Sequence, residues 1–268
     1  MVKENPILGI IGGGQLGSML ATAAKKLNIK TIVLSDDPEA PAKKFCDELI
    51  ISDYNKVKNI EEFANKVDVV TFEFENIPFK ILEHIEKLKP VLPKPTVNHI
   101  VQNRFTEKKF ILNTAGAFNE LGIKTVKYAL IKEKTDILKN KDLLPGILKT
   151  CTLGYDGKGQ FIINNTEEIN KLEIDFDKEY ILEKKIILKK EISIIITRFS
   201  KNECLIFDPF ENFHVNQILN RSVIPADITK DILIKAQQQA KLIAEKLDYI
   251  GTMCVEYFID ENNNLFVN

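Results

Sequence analysis

At 268 residues, with 44% hydrophobic and 28% charged, the chain can bury a sizeable core and divide into two or more domains. Its 37 basic and 38 acidic residues give a formal net charge of −1, which argues against a dominant nucleic-acid or membrane-surface role. No apolar run approaches the ~20 residues that span a bilayer, and Met1-Val2-Lys3-Glu4-Asn5-Pro6 does not open a signal peptide. Cys46, Cys151, Cys204 and Cys254 are scattered, without a C-x-x-C pair, and read as reduced thiols of a cytoplasmic protein.

The amino-terminal part alternates strand and helix. Ile7-Leu8-Gly9-Ile10-Ile11 is a continuous apolar strand; Leu16, Met19, Leu20, Ala23, Ala24 and Leu27 recur at helical spacing; Thr31-Ile32-Val33-Leu34 is a second strand. This is a βαβ unit of a parallel sheet, with a helix around Ile60–Asn65 and a third strand at Val67–Phe72 to follow. Between the first strand and its helix, Gly12-Gly13-Gly14-Gln15-Leu16-Gly17 satisfies G-x-G-x-x-G, and Asp36 follows where a dinucleotide fold places its ribose-binding acid. A glycine turn opening a helix binds phosphate through unpaired amides and the helix dipole, without specifying whose phosphate.

Glu73 and Glu75 end the third strand on one face by its period of two, either as a ligand-facing pair or as one exposed acid and one helix cap. Pro90, Pro93 and Pro95 mark a boundary into a polar helix from about His99 to Gly116.

Next comes Lys149, followed by Gly154-Tyr155-Asp156-Gly157-Lys158-Gly159-Gln160. The apolar β-type runs Ile147–Thr150 and Phe161–Ile163 flank these glycines, so this is a hairpin lid and not the strand–loop–helix of a P-loop. Glycines alone fit equally a solvent-exposed hairpin using positive φ. A lysine at a strand position between apolar neighbours must find an anion or snorkel to water. Cys151 adjoins the lid, where solvent could reach it.

Strands at Tyr180–Glu183, Glu191–Arg198 and Cys204–Phe207 look antiparallel. A helix from about Thr229 to Leu247 buries Ile232, Ala236, Ala240, Ile243 and Leu247, with Thr229 as its cap. Gly251–Ile259 is a strand that turns through Asp260–Asn264 into Leu265–Asn268; symmetric counting about Asn262 places Asn268 opposite Glu256. Glu256 inside this apolar run either meets a cation or faces outward from an edge strand.

Taken in order, the Gly12–Gly17 loop, Phe72-Glu73-Phe74-Glu75-Asn76, the lid, Glu211-Asn212-Phe213-His214 and Val255-Glu256 resemble the ATP-grasp superfamily. Within it they resemble the 5-(carboxyamino)imidazole ribonucleotide synthases of purine biosynthesis. The resemblance covers essentially the whole chain and implies an α/β (α+β overall) fold: a parallel-sheet substrate-binding domain at 1–104, a linker helix and small lid domain at 105–186, and an incomplete antiparallel-sheet domain at 187–268. It implies that Lys108 and Lys149 hold ATP phosphates beneath a lid of Gly154, Tyr155, Asp156, Gly157, Lys158, Gly159 and Gln160, with Lys149, Tyr155 and Lys158 closest to the chemistry. Glu183, Lys184, Lys185 and Ile186 would form the adenine hinge, Glu191 the ribose acceptor, and His214 and Asn268 further nucleotide contacts. Glu256 would ligate Mg2+. Gly14, Gln15, Leu16, Glu73 and Tyr155 would lie near the aminoimidazole ribonucleotide, the glycine loop facing its phosphate.

The implied reaction is ATP-dependent carboxylation: bicarbonate attacks the γ-phosphate, and the exocyclic amine of the ribonucleotide captures the carbon of the resulting carboxyphosphate. A homodimer without nucleic-acid or membrane partners is implied as well. In the family, the strand ending at Asn268 continues into a second metal-binding glutamate and a basic, histidine-containing substrate segment. A chain stopping at Asn268 is therefore expected to be a truncated enzyme, or one of weak or absent activity that retains some ATP binding. A non-catalytic nucleotide-binding module and an NAD-dependent oxidoreductase resting on Gly12–Gly17 and Asp36 are the other readings.

Overall fold

A computed structural model describes residues 5–113, 116–154 and 159–268. The chain forms two compact units, Met1–His99 and Ile100–Asn268.

In the first unit, β1 (Ile7–Ile11), β2 (Lys30–Ser35), β3 (Glu48–Ile51) and β4 (Val69–Phe72) form a parallel sheet in the order β3-β2-β1-β4. β1 is apolar throughout and β2 is buried from Thr31 to Ser35 because helices cover both faces of such a sheet. The short β3 escaped the sequence reading: Glu48-Leu49-Ile50-Ile51 is brief and pairs only along β2.

Helix α1 (Gln15–Lys26) corrects its expected buried stripe. Gly17, Ala21 and Ala24 face the interior, whereas Leu16, Met19 and Leu27 are exposed. The cause is close approach. A Cβ on Gly17 would lie 2.4 Å from the Gly12 carbonyl oxygen, so only the smallest side chains fit between helix and loop.

Helices α2 (Val57–Lys66) and α3 (Phe79–Glu86) bury Phe63, Ile60, Leu82 and Ile85 in one core with Ile11, Leu34 and Val70. The expected polar helix over 99–116 is instead two, α4 (Pro95–Val101) and α5 (Arg104–Asn113). Asn103 separates them, its Oδ1 accepting from the amides of Phe105 (2.9 Å) and Thr106 (3.3 Å).

The second unit carries two antiparallel sheets. After the short helix α6 (Ala117–Glu120), β5 (Tyr128–Ile131), β6 (Gly146–Thr150), β7 (Gln160–Ile163) and β8 (Tyr180–Lys184) form one in the order β5-β8-β6-β7. Short helices α7 (Lys134–Lys139) and α8 (Thr166–Ile169) contribute Ile137 and Ile169 to its core. The expected hairpin is present: Lys149 pairs with Gln160 and Leu148 with Phe161. Cys151 is buried, not solvent-facing, and burial pushes its thiol up to about 11.

The other sheet is built on the eleven-residue β9 (Leu188–Arg198). It joins β10 (Cys204–Ile206), β11 (Phe210–Val215) and β12 (Ile218–Val223) to β13 (Gly251–Asp260) and β14 (Leu265–Val267), in the order β12-β11-β9-β13-β14 with β10 also on β9. Helix α9 (Lys230–Lys246) packs Ile232, Ala236, Ala240 and Ile243 inward, and Thr229 caps it by accepting from the Ile232 amide. Glu256 is exposed but does not stand on an edge strand, since β13 is paired on both sides. Tyr257 pairs with Val267, and Asn268 follows opposite Glu256, as counted.

Candidate functional site

The two sheets of the second unit enclose a cavity of about 470 Å3. Strands β6 and β8 contribute Lys149 and Glu183, the turn after β8 contributes Lys184, Lys185 and Ile186, and β9, β11 and β13 contribute Glu191, His214 and Glu256. Gln160 and Asn268 complete the set of expected residues found on its walls. Residues up to 164 positions apart in sequence, Arg104 to Asn268, thus converge on one space.

At the inner end, Glu183 sits between two ammonium groups. Its Oε2 lies 2.7 Å from Lys149 Nζ and its Oε1 3.1 Å from Lys108 Nζ, with all three side chains at least 93% buried. Burial opposes ionisation of Glu183, but Lys108 and Lys149 more than offset it and hold the carboxyl below its usual range. Burial pushes the Lys149 ammonium below its ordinary value against the pull of Glu183, and like charges on Lys108 and Arg104 push the same way. Lys108, expected at the phosphates, does not line the cavity; it lies behind Glu183 and donates to Thr125 Oγ1 at 3.3 Å.

At the opposite wall, His214 Nδ1 is 2.8 Å from Glu191 Oε2. Burial pushes the Glu191 carboxyl up, His214 pulls it back, and Glu256 adds repulsion. Asn268 donates its amide to the Glu256 carbonyl at 3.0 Å, and its carboxamide lies 3.5 Å from the Glu256 carboxylate. Among the described residues no group of three or more His, Cys, Asp or Glu side chains forms a metal-binding cluster. A hard cation bound together with phosphates needs few protein ligands, and the Glu256 carboxylate and Asn268 carboxamide are oxygen donors of the right kind.

Of the lid, Gly154, Gly159 and Gln160 are described. The Gly154 carbonyl accepts from Arg104 at 3.0 Å, and the Gly159 carbonyl accepts from the Thr150 amide at 2.9 Å. Tyr155, Asp156, Gly157 and Lys158 lie outside the described residues.

Gly14, Gln15, Leu16 and Glu73 belong to the first unit. The strand ends at Phe72, so Glu73 and Glu75 are not a same-face pair on it. Glu73 turns back onto the glycine loop, where its Oε1 accepts from the Gly14 amide at 3.1 Å. A Cβ on Gly12, whose φ is +99°, would meet Glu73 Cγ at 2.6 Å. The Tyr54 hydroxyl is pushed up to about 12, mainly by burial and further by the carboxylates of Asp36 and Glu73.

Arg104, Gln217 and Phe258 line the cavity and were missed from sequence. Arg104 was hidden by reading one helix where there are two, and Asn103 as a cap was the available signal. Gln217 sits at the β11–β12 turn with Asn216, at φ of +66° and +52°.

Comparison with known proteins shows the family of the chain. Residues 6–102 match the model of the ribonucleotide synthetase preATP-grasp domain, and residues 116–268 that of the ATP-grasp domain. The N5-carboxyaminoimidazole ribonucleotide synthase of Staphylococcus aureus (strain COL) is 37% identical over 270 residues, covering all of this chain and 70% of that protein. The Bacillus subtilis (strain 168) synthase is 36% identical over 272 residues, with the same coverage. Among solved structures, the S. aureus N5-carboxyaminoimidazole synthetase complexed with ADP superposes with a TM-score of 0.89 at 37% identity, covering all of this chain and 70% of that one. The Aspergillus clavatus synthase in complex with ADP and 5-aminoimidazole ribonucleotide gives 0.85 at 25% identity, over 98% of this chain and 69% of that one.

Proposed function

The chain belongs to the N5-carboxyaminoimidazole ribonucleotide synthases of the ATP-grasp superfamily, and on that basis we propose that its second-unit cavity binds ATP for the carboxylation of 5-aminoimidazole ribonucleotide by bicarbonate. The observation that carries this reading is the convergence of Lys149, the Glu183–Ile186 segment, Glu191, His214 and Glu256 on one cavity.

In this proposal Lys149 and Arg104 neutralise phosphate oxygens, which a bidentate guanidinium and a point-like ammonium do in complementary ways. The Lys184–Ile186 backbone reads the adenine edge, and Glu191, oriented by His214, accepts from the ribose hydroxyls. Glu256 and Asn268 would hold Mg2+, whose chemistry there would be to offset phosphate charge. Bicarbonate attacks the γ-phosphorus and ADP leaves. The amine of the ribonucleotide then attacks the carbon of carboxyphosphate and expels phosphate. Lid residues 154–160 keep water from that reactive anhydride. Gly14, Gln15, Leu16 and Glu73 serve the ribonucleotide side, so that residues 1–104 form the substrate domain, 105–186 the lid domain and 187–268 the metal-bearing domain. The four free cysteines fit a reducing cytoplasm, and a homodimer is the proposed assembly.

Thermal shift with magnesium-ATP, ADP and NADH tests the site. ATP and ADP are expected to raise the melting temperature and NADH to leave it unchanged; the reverse pattern would overturn the reading. ADP release that requires both bicarbonate and 5-aminoimidazole ribonucleotide tests the reaction, and release independent of either would refute it.

A further inference from the structure

Lys108 and Glu183 have no part in the reaction as derived above, yet they make the most deeply buried charge cluster described in the chain. Lys108 is on α5, Glu183 on β8 and Lys149 on β6, and the carboxylate uses a different oxygen for each ammonium. Glu183 and Lys149 line the cavity, whereas Lys108 does not.

We propose that Lys108 is a positioning residue: by engaging Glu183 Oε1 it leaves only Oε2 to Lys149, so that Lys149 Nζ keeps donor capacity for the nucleotide's phosphates. This deepens the ATP reading of the cavity and rests on it.

The physical argument is one of shared demand. An ionised carboxylate has about four acceptor positions and, when buried, seeks to fill them. With two ammonium partners, neither must satisfy it alone. An ammonium has three donors, and Lys149 gives one to Oε2 at 2.7 Å, leaving two for an anion in the cavity. Without Lys108, Glu183 would draw Lys149 across both oxygens and back from the cavity. The cluster also carries one more positive than negative charge, an imbalance that a phosphate corrects and a neutral nucleoside does not.

The readout is the ratio of ADP to adenosine affinity, since both share the base and ribose and only ADP meets Lys149. Lys108→Met is expected to lower ADP affinity about tenfold, the order of one charge-assisted hydrogen bond, with adenosine affinity unchanged. Glu183→Gln, which releases Lys149 Nζ from the carboxylate, is expected to keep or raise the same ratio. The decisive comparison is the double variant Lys108→Met/Glu183→Gln, expected to bind ADP no more weakly than Glu183→Gln, because Lys108 acts only through that carboxylate. If Lys108→Met weakens ADP equally in both backgrounds, Lys108 touches the phosphates directly and the proposal is wrong. Equal loss of ADP and adenosine affinity would reduce Lys108 to a packing role and also overturn it. Should Lys108→Met not fold, Lys108→Gln, a neutral donor, is read by the same ratio. Failure of the unaltered chain to bind ADP would instead refute the ATP reading itself.

Discussion

His214 and Glu191 form a diagonal cross-strand pair: Glu191 on β9 is in register with Asn212 on β11, and His214, two residues further along, reaches back to place Nδ1 2.8 Å from Glu191 Oε2. Burial and Glu256 raise the Glu191 carboxyl and His214 restrains it.

The acid limb of nucleotide binding follows from this pair. Glu191 must be ionised to accept from ribose, so affinity is present above its pKa and lost as pH falls through it. Because burial raises that pKa above the ordinary carboxylate range, the loss begins at milder acidity than for an ordinary glutamate. His214→Gln removes the imidazole that restrains Glu191 and is expected to move the limb to higher pH; Glu191→Gln abolishes it. ADP affinity measured calorimetrically from pH 4 to pH 8, roughly the window in which carboxylates and imidazoles titrate, checks both.

Lys149→Ala is expected to abolish ATP turnover and weaken ADP binding at least about tenfold while the fold persists, since Glu183 keeps Lys108 as counter-charge. Circular dichroism of the variant and a titration with ADP check the two halves. Wild-type affinity would remove Lys149 from the phosphate site.

Gln217→Gly is expected to raise stability by about 0.5–1 kcal/mol, because relief of a left-handed non-glycine backbone outweighs the entropy glycine brings to the unfolded chain. Gln217 also lines the cavity, so the same variant tests whether its amide contacts the nucleotide. A higher melting temperature with weaker ADP binding is the expected combination.

Gly17→Ala is expected to destabilise the chain by about 1–3 kcal/mol, the usual cost of forcing a side chain into filled space. The obstacle is the Gly12 backbone oxygen at 2.4 Å, which cannot swing aside as a side chain could. Thermal or urea unfolding measures it, and an unchanged midpoint would show that the loop yields.

What the sequence disclosed follows period and register. The buried stripe of α9 and the pairing of Asn268 opposite Glu256 were countable, since helical spacing and a symmetric turn carry that information locally. The buried face of α1 was not, because its large apolar residues formed the more conspicuous stripe while close approach to the loop demanded Gly17, Ala21 and Ala24. Lys149 was legible as an anomaly among apolar neighbours. Its partner was not: Ile147, not Lys149, stands opposite Glu183, and the contact is a diagonal that depends on the β6–β8 register. Lys108 adds a helix to that geometry, beyond any linear spacing.

The carboxylate of Glu73 on the Gly14 amide also bears on how this chain could change. A descendant recruited to dinucleotide chemistry would already own the glycine motif, yet its first step would have to be the loss of Glu73. That step strips the amide of its acceptor before any cofactor is there to replace it. The intermediate has lost that hydrogen bond with no cofactor to replace it, so the motif that invites such a conversion is guarded against it by its own neighbour.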